Sequence, residues 1–492
     1  MSIRSVLFVC LMGLVIPLTG CGKEKGSTSS GSSGASASAS SGAPGEMVKL
    51  SKYKMSEYCD LAATPNGTLH AIFNDSPDYS KPTYVYYRSS TDGGATWSDA
   101  KNLSDDESGH VATFCRLVAD GKGRVYAIWK YLERASLIDG PGGNEGGVFV
   151  YRCLDAGNWS KTISLNKSPD WGYSFFAAVD PKGTAHVVWS QISPDVAASK
   201  FHAGASASIA DLVQQVALDG PALGTPRGLV VPEPLKTEAQ WKAQGVPYPS
   251  YEQLTPKAEG IYNLRGYVDA AGTAHFIGER PKPQSLVYFD GKALKTVYTY
   301  IPYASGNTFN NPATLLVDAS GVDHVIRSPE KAETPCVRDY LVGDKLEEPT
   351  DVVTIKDAGK GAIFNWQVAQ GPKGKMAVLV SLSQTAKASP EDVELYVSYS
   401  DGKGKWTEPQ VITNNVAAQK FTSSAIGSQY TTYNPRFSAL IWDANGRPCV
   451  IMVNNAYTNT GLNTVGVTSS GRAVTGSSGF STSEPSVYFK KL

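Results

Sequence analysis

The sequence predicts an all-β protein, and three observations carry that prediction. The composition is rich in strand and turn formers, with 25 Tyr and 48 Gly among 492 residues and 41% hydrophobic content. One short pattern, a polar residue, two further residues, Gly and then an apolar run, recurs seven times. A second turn, ending in Trp in its clearest copies, follows a third strand-like run. Together they predict a seven-bladed β-propeller of four-stranded antiparallel blades, because such a unit cannot bury both faces alone and a closed ring supplies the missing neighbours.

The chain begins with a segment that lies outside the fold. Arg4 precedes the apolar run "SVLFVCLMGLVIP", which is too short to span a bilayer comfortably. The run ends in Leu18-Thr19-Gly20-Cys21. This stretch resembles a bacterial lipoprotein signal over residues 1–20, which implies lipidation of Cys21 as the mature N-terminus. Gly22 after the cysteine implies, by the same resemblance, the outer membrane where the organism has one. Residues 21–46 then read as a lipidated Cys and a Ser/Gly/Ala tether that cannot bury enough apolar surface to order itself.

Residues 47–492 carry the repeat. It appears as "TPNGTLHAIF" from Thr64, "DGKGRVYAIW" from Asp120 and "DPKGTAHVVW" from Asp180. It returns as "DAAGTAHFIG" from Asp269, "DASGVDHVIR" from Asp318, "GPKGKMAVLV" from Gly371 and "DANGRPCVIM" from Asp443. Each Gly turn has a strand-like run on both sides and reads as a hairpin between a blade's first two strands. Third strands such as "YVYYRSS" and "ELYVSYS" follow, and runs such as "SDAKNLS", "SKTISL" and "EPQVIT" read as fourth strands.

The turn "STDGGATW" resembles the Asp box of sialidases and related BNR-repeat propellers, with Ser90, Asp92, Gly94, Thr96 and Trp97 matching position by position. Asp401, Gly404 and Trp406 form a degenerate second copy, and "LDAGNW", ending at Trp159, a weaker third. In that family the box is structural and lies on the face opposite the active site. The resemblance also raises a six-bladed, sialidase-type ring as the alternative architecture.

Strand order sorts the loops into two ends. Gly turns and Asp boxes share one; the other is a loop-rich mouth over the channel. Mouth loops include 130–147, 414–432 and a long insertion near 219–260 with one short helix. Counting four residues back from each turn places Asp60, Arg116, Phe176, Arg265, Thr314, Gln367 and Ala439 at one equivalent position facing the channel. With His110, Glu279, Arg280, Arg327 and Arg436 nearby, this set suits an anionic sugar, since the arginine fork binds carboxylate through two parallel hydrogen bonds. The other reading is a wet channel lined by ions that are solvated or mutually paired. Four histidines, His70, His186, His275 and His324, lie three residues after a turn Gly, on different blades, and read as bonded to neighbouring backbone rather than to a metal.

Three functions remain open. A glycosidase resembling sialidases draws on Arg116, Arg265 and Arg327 for a carboxylate, Tyr262 or Tyr303 as nucleophile, and Asp60 or Asp75 as acid. The Arg-Ile-Pro motif of that family is absent and seven blades replace six, so no residue carries over by motif. A polysaccharide lyase needs a base, His110 or a mouth tyrosine, beside Arg116 or Arg265. A non-catalytic propeller binds a glycan, with aromatics such as Tyr131 and Tyr173 for stacking, or docks an envelope protein. Balanced charge, 45 basic against 45 acidic side chains, speaks against nucleic acid as partner. No cofactor or metal is expected. Cys59, Cys115, Cys153, Cys336 and Cys449 read as packing residues with room for one bridge.

Overall fold

The computed structural model describes residues 47–53, 56, 58–77, 83–104, 110–133, 147–166, 172–191, 212–231, 238–245, 260–281, 284–299, 313–318, 320–328, 336–347, 349–354, 362–371, 375–383, 393–400, 406–413, 430–459, 464–467, 473–476 and 482–492. Seven antiparallel sheets form seven blades. The inner strands are Cys59–Ala63, His110–Ala119, Gly172–Val179, Tyr262–Val268, Thr314–Val317, Ala362–Gln370 and Tyr430–Trp442. Each packs against the inner strand of the next blade, and the last packs against the first. The ring is therefore closed, with seven blades rather than six.

Burial follows from this arrangement. A blade's second strand has a neighbouring blade on either face, so Leu69–Asp75 and Ala185–Gln191 are buried at every position. Hence their near-continuous apolar runs, where a half-exposed strand would alternate. The core is divided accordingly into seven apolar clusters, one between each pair of neighbouring blades. Outer strands are short: Lys101–Asn102, Ile163–Ser164 and Gln410–Val411 pair over two residues each. Short edges leave little unpaired backbone to template aggregation.

Two elements depart from the sequence reading. Part of the 219–260 stretch is not loop: Ala222–Leu223 and Arg227–Val230 pair with Leu212–Asp219 and complete blade three. The expected short helix is Glu238–Ala243. Blade seven takes Val48–Lys49 as its outer strand, in register with Phe489 and Tyr488, so the start of the folded region latches onto its end. Leu50 continues the latch, its amide donating to the Val487 carbonyl at 2.7 Å. All five described cysteines are buried and unbridged. They sit on strands of separate pairings as apolar packing, and burial pushes the Cys115 thiol up to about 12.

The Gly turns share one design. Asp120, Asp180, Asp269, Asp318 and Asp443 each accept two backbone amides, two and four residues on, through Oδ1. The glycine between them has φ between 71° and 86° in these five turns, which an L side chain rarely adopts. The histidines complete the turns, though through side chains rather than backbone. His186 and His275 contact Oδ2 of Asp180 and Asp269 at 3.1 and 3.2 Å, and His70 contacts Thr64 Oγ1 and the Tyr87 hydroxyl. Asp323 and Asp269 raise the pKa of His275 against the opposing effect of burial.

His70 goes the other way: burial lowers its pKa to about 4. A neutral folded imidazole binds protons less readily than the unfolded one. Its stabilising contribution is thus intact above pH 6.5 and lost as pH falls from there through about 4, by ~3 kcal/mol in all. Urea midpoints taken across that window are expected to fall less steeply in His70→Gln than in wild type. Equal slopes would rule this histidine out as the cause.

Candidate functional site

The seven positions counted back from the turns do form one ring. Asp60, Arg116, Phe176, Arg265, Thr314, Gln367 and Ala439 lie opposite Ile72, Ile128, Val188, Ile277, Ile326, Leu379 and Ile451 of the second strands. An aliphatic partner stands across from each of the seven, and Phe176 is buried with its partner Val188 in the apolar cluster between blades three and four. Ahead of the ring, five inner strands carry a register shift: Thr113/Arg116, Gly172/Ser174, Tyr262/Arg265, Ile363/Asn365 and Pro435/Phe437. Such bulges bend the strand and re-aim the side chains that follow.

Charged groups from different blades meet here. Asp60 accepts the Leu61 amide and, from the next blade, the Leu117 amide, both at 2.9 Å. Its carboxyl nevertheless has a raised pKa, because enclosure by the channel walls outweighs the nearby Arg116 and these bonds. Arg265 reaches from blade four to blade six, where its Nη1 donates to Gln367 Oε1 at 3.3 Å. Thr314, the ring residue of the blade between, is small and buried and leaves that path open. Enclosure, then the like charge of Arg116, brings the Arg265 guanidinium down to about 10 against the pull of Glu279 and Asp60. Arg116 Nη1 donates to the Cys115 carbonyl at 3.1 Å. Among the described residues, neither arginine has a carboxylate within ion-pair distance.

A second polar tier lies toward the mouth. Asn74, Lys130, Ser190, Glu279 and Ser381 stand two residues beyond the ring's aliphatic partners and are each at most 3% exposed. Its signal is legible in the sequence: each apolar run ends in a polar residue, as in "AIFN", "AIWK", "VVWS", "FIGE" and "VLVS". Glu279 is the most consequential. Its Oε2 accepts from Asn263 Nδ2 at 2.9 Å while Oε1 has no hydrogen-bond partner. Burial raises its pKa, against Asn263, Arg265 and Arg327. Asn263 has φ of 50°. Opposite it, a Cβ on Gly278 would stand 2.5 Å from Ile261.

Other expected site residues fall elsewhere. Arg327 lies one residue beyond Ile326, on the face opposite Thr314, and stacks over Tyr298 with 4.1 Å to the ring centroid. It acts on Glu279 rather than joining Arg116 and Arg265. Arg280 is likewise on the face opposite Glu279, across from Ser285. Tyr262 pairs directly with Glu279. His110 is not in a loop: it starts the inner strand of blade two, opposite Glu133. Asp75 is fully buried and holds Ser56, Ser76 and the Tyr53 amide, a structural carboxylate. Tyr131 is buried against Trp129 and is no mouth aromatic. Tyr303, Asp401, Gly404 and the side chains of His110, Tyr173 and Arg436 lie outside the described residues. Among the described residues no group of three or more His, Cys, Asp or Glu is placed to hold a metal ion.

No protein-family model and no curated protein matches the chain. Solved structures of similar shape include a Hadza microbial sialidase, at 11% identity over 89% of this chain and 66% of that one, with a TM-score of 0.39. The intramolecular trans-sialidase of Ruminococcus gnavus aligns at 11% identity over 89% and 95% of the two chains, TM-score 0.37. The α-L-arabinanase of Penicillium chrysogenum aligns at 12% over 91% and 96%, TM-score 0.39. The chain thus spans just under two thirds of the first of these proteins.

Proposed function

We propose that the mouth of the channel binds an acidic glycan, and that the protein is a cell-envelope lipoprotein holding this propeller through a lipidated Cys21. One observation carries the ligand class. Among the described residues, Arg116 and Arg265, two guanidinium groups on one ring, each make a single hydrogen bond to the protein. A guanidinium has five N–H donors, so most remain for a carboxylate delivered from the mouth. The anchor rests on the apolar run before Cys21 and the tether after it. Among the described residues no helix is long and apolar enough to cross a membrane.

The test is a screen of acidic oligosaccharides against the wild type and an Arg116→Ala/Arg265→Ala double variant. Loss of two charge-assisted contacts is expected to weaken binding about 100-fold. A wild type that binds no acidic sugar sinks the reading and directs attention to envelope protein partners.

A second reading, hydrolysis at the same mouth, is favoured by the pairing of Tyr262 with Glu279. Cross-strand partners present their side chains to one face of the sheet, so the Tyr262 phenol and the Glu279 carboxyl share a side, and these are residue types from which a tyrosine nucleophile and its partner are built.

A further inference from the structure

Phe114 stands where a phenylalanine is out of place. It occupies the bulge between Thr113 and Arg116 with φ of 51°, a conformation that bulky L residues rarely adopt. Asn263, the equivalent residue two positions ahead of Arg265, has φ of 50°, but asparagine tolerates this region. Phe114 is also 37% exposed as a residue, so burial does little to offset the strain. Tyr58, two positions ahead of Asp60, meets it with ring centroids 4.4 Å apart. Below them lies the Lys130 ammonium, 5.4 Å from the Phe114 centroid on a residue only 1% exposed. Two neighbouring blades thus contribute one aromatic step on the mouth side of Asp60 and Arg116. Strain that the fold does not need accumulates where a ligand is met.

We propose that Tyr58 and Phe114 form a sugar-stacking subsite, resting on the acidic-glycan reading above. An oligosaccharide places its carboxylate-bearing ring on the arginines, and a neighbouring pyranose lays its C–H face on the Phe114 ring. The strained backbone keeps that ring out of the interblade core and presented to the mouth.

The experiment uses the full chain with oligogalacturonates, alginate oligomers and sialyl-oligosaccharides, followed by calorimetry on the strongest binder. Phe114→Gly suits the backbone and removes the ring; its dissociation constant is expected to rise about tenfold while the unfolding midpoint holds or rises. Phe114→Leu keeps apolar volume without the aromatic face and should lose binding equally, whereas Phe114→Tyr should retain it. If leucine binds as well as phenylalanine, or glycine lowers the midpoint and leaves binding intact, the ring is structural and the proposal is overturned. If Arg116→Ala abolishes binding but Phe114→Gly does not, the subsite alone falls. If the wild type binds none of these probes, subsite and glycan reading fall together.

Discussion

Gly94→Val is expected to remove on the order of 3–5 kcal/mol of stability, the sum of backbone strain and overpacking. Gly94 has φ of 94°, and a Cβ there would stand 2.1 Å from Cε1 of Phe489. Phe489 is 2% exposed on the third strand of blade seven, with little room to retreat. The turn around Gly94 is fully occupied. Ser90 Oγ donates to Asp92 and accepts the Gly94 amide, Asp92 accepts the Thr96 amide and hydroxyl, and the Trp97 indole donates to the Gly94 carbonyl. Burial is the largest single effect and raises the Asp92 pKa, but the bonds from Thr96 and Ser90 together outweigh it and hold the carboxyl down to about 2. Trp97 then packs edge-on against Phe489, ring centroids 5.1 Å apart. Trp159 does the same against Tyr87 of blade one at 4.9 Å. The box is an interblade clasp, and a bulkier residue at its centre opens it. Gly157→Val is the control: φ is 82° there, but nothing stands within 4 Å of the added Cβ. Equal urea midpoints for the two variants would refute the packing part of the argument.

Leu50→Asp is expected to cost about as much, 3–5 kcal/mol, because an unpaired carboxylate would enter an apolar seam. Leu50 is fully buried in the cluster between blades seven and one, with Leu61, Phe73, Ile451 and Phe489. Its strand closes the ring: Ser51 Oγ accepts the Val487 amide at 2.9 Å beside the Leu50 bond. Hydrogen exchange reads out the location of the damage. Amides at the blade seven–blade one seam, such as those of Ala71 and Ile451, should lose protection before those between blades three and four. Uniform loss around the ring would mean that Leu50 contributes bulk burial and no latch.

Much of this site was legible in the chain because hairpin register is local. A turn with Asp at its first position and Gly at its fourth sets the pairing of the strands it joins. Counting back from Asp120 or Asp269 therefore reaches Arg116 or Arg265 on the same wall. Arg327 lies outside that count; it follows Ile326, the partner of its blade's ring residue Thr314, and so faces the opposite way. No period applies near a loop, and there the structure differs: His110 and Tyr131 lie in strands, as does Asp75.

The sequence by itself determined the repeat, the turn chemistry and the register of each inner strand against its neighbour, since each depends on contacts within one hairpin. Only the tertiary structure decided that Val48 closes the ring against Phe489, that Arg265 meets Gln367 two blades away, and that Glu279 is enclosed with one oxygen unpartnered. Those contacts join residues far apart in the chain. They exist because seven twisted sheets close on themselves, and no local pattern encodes which side chains that closure brings face to face.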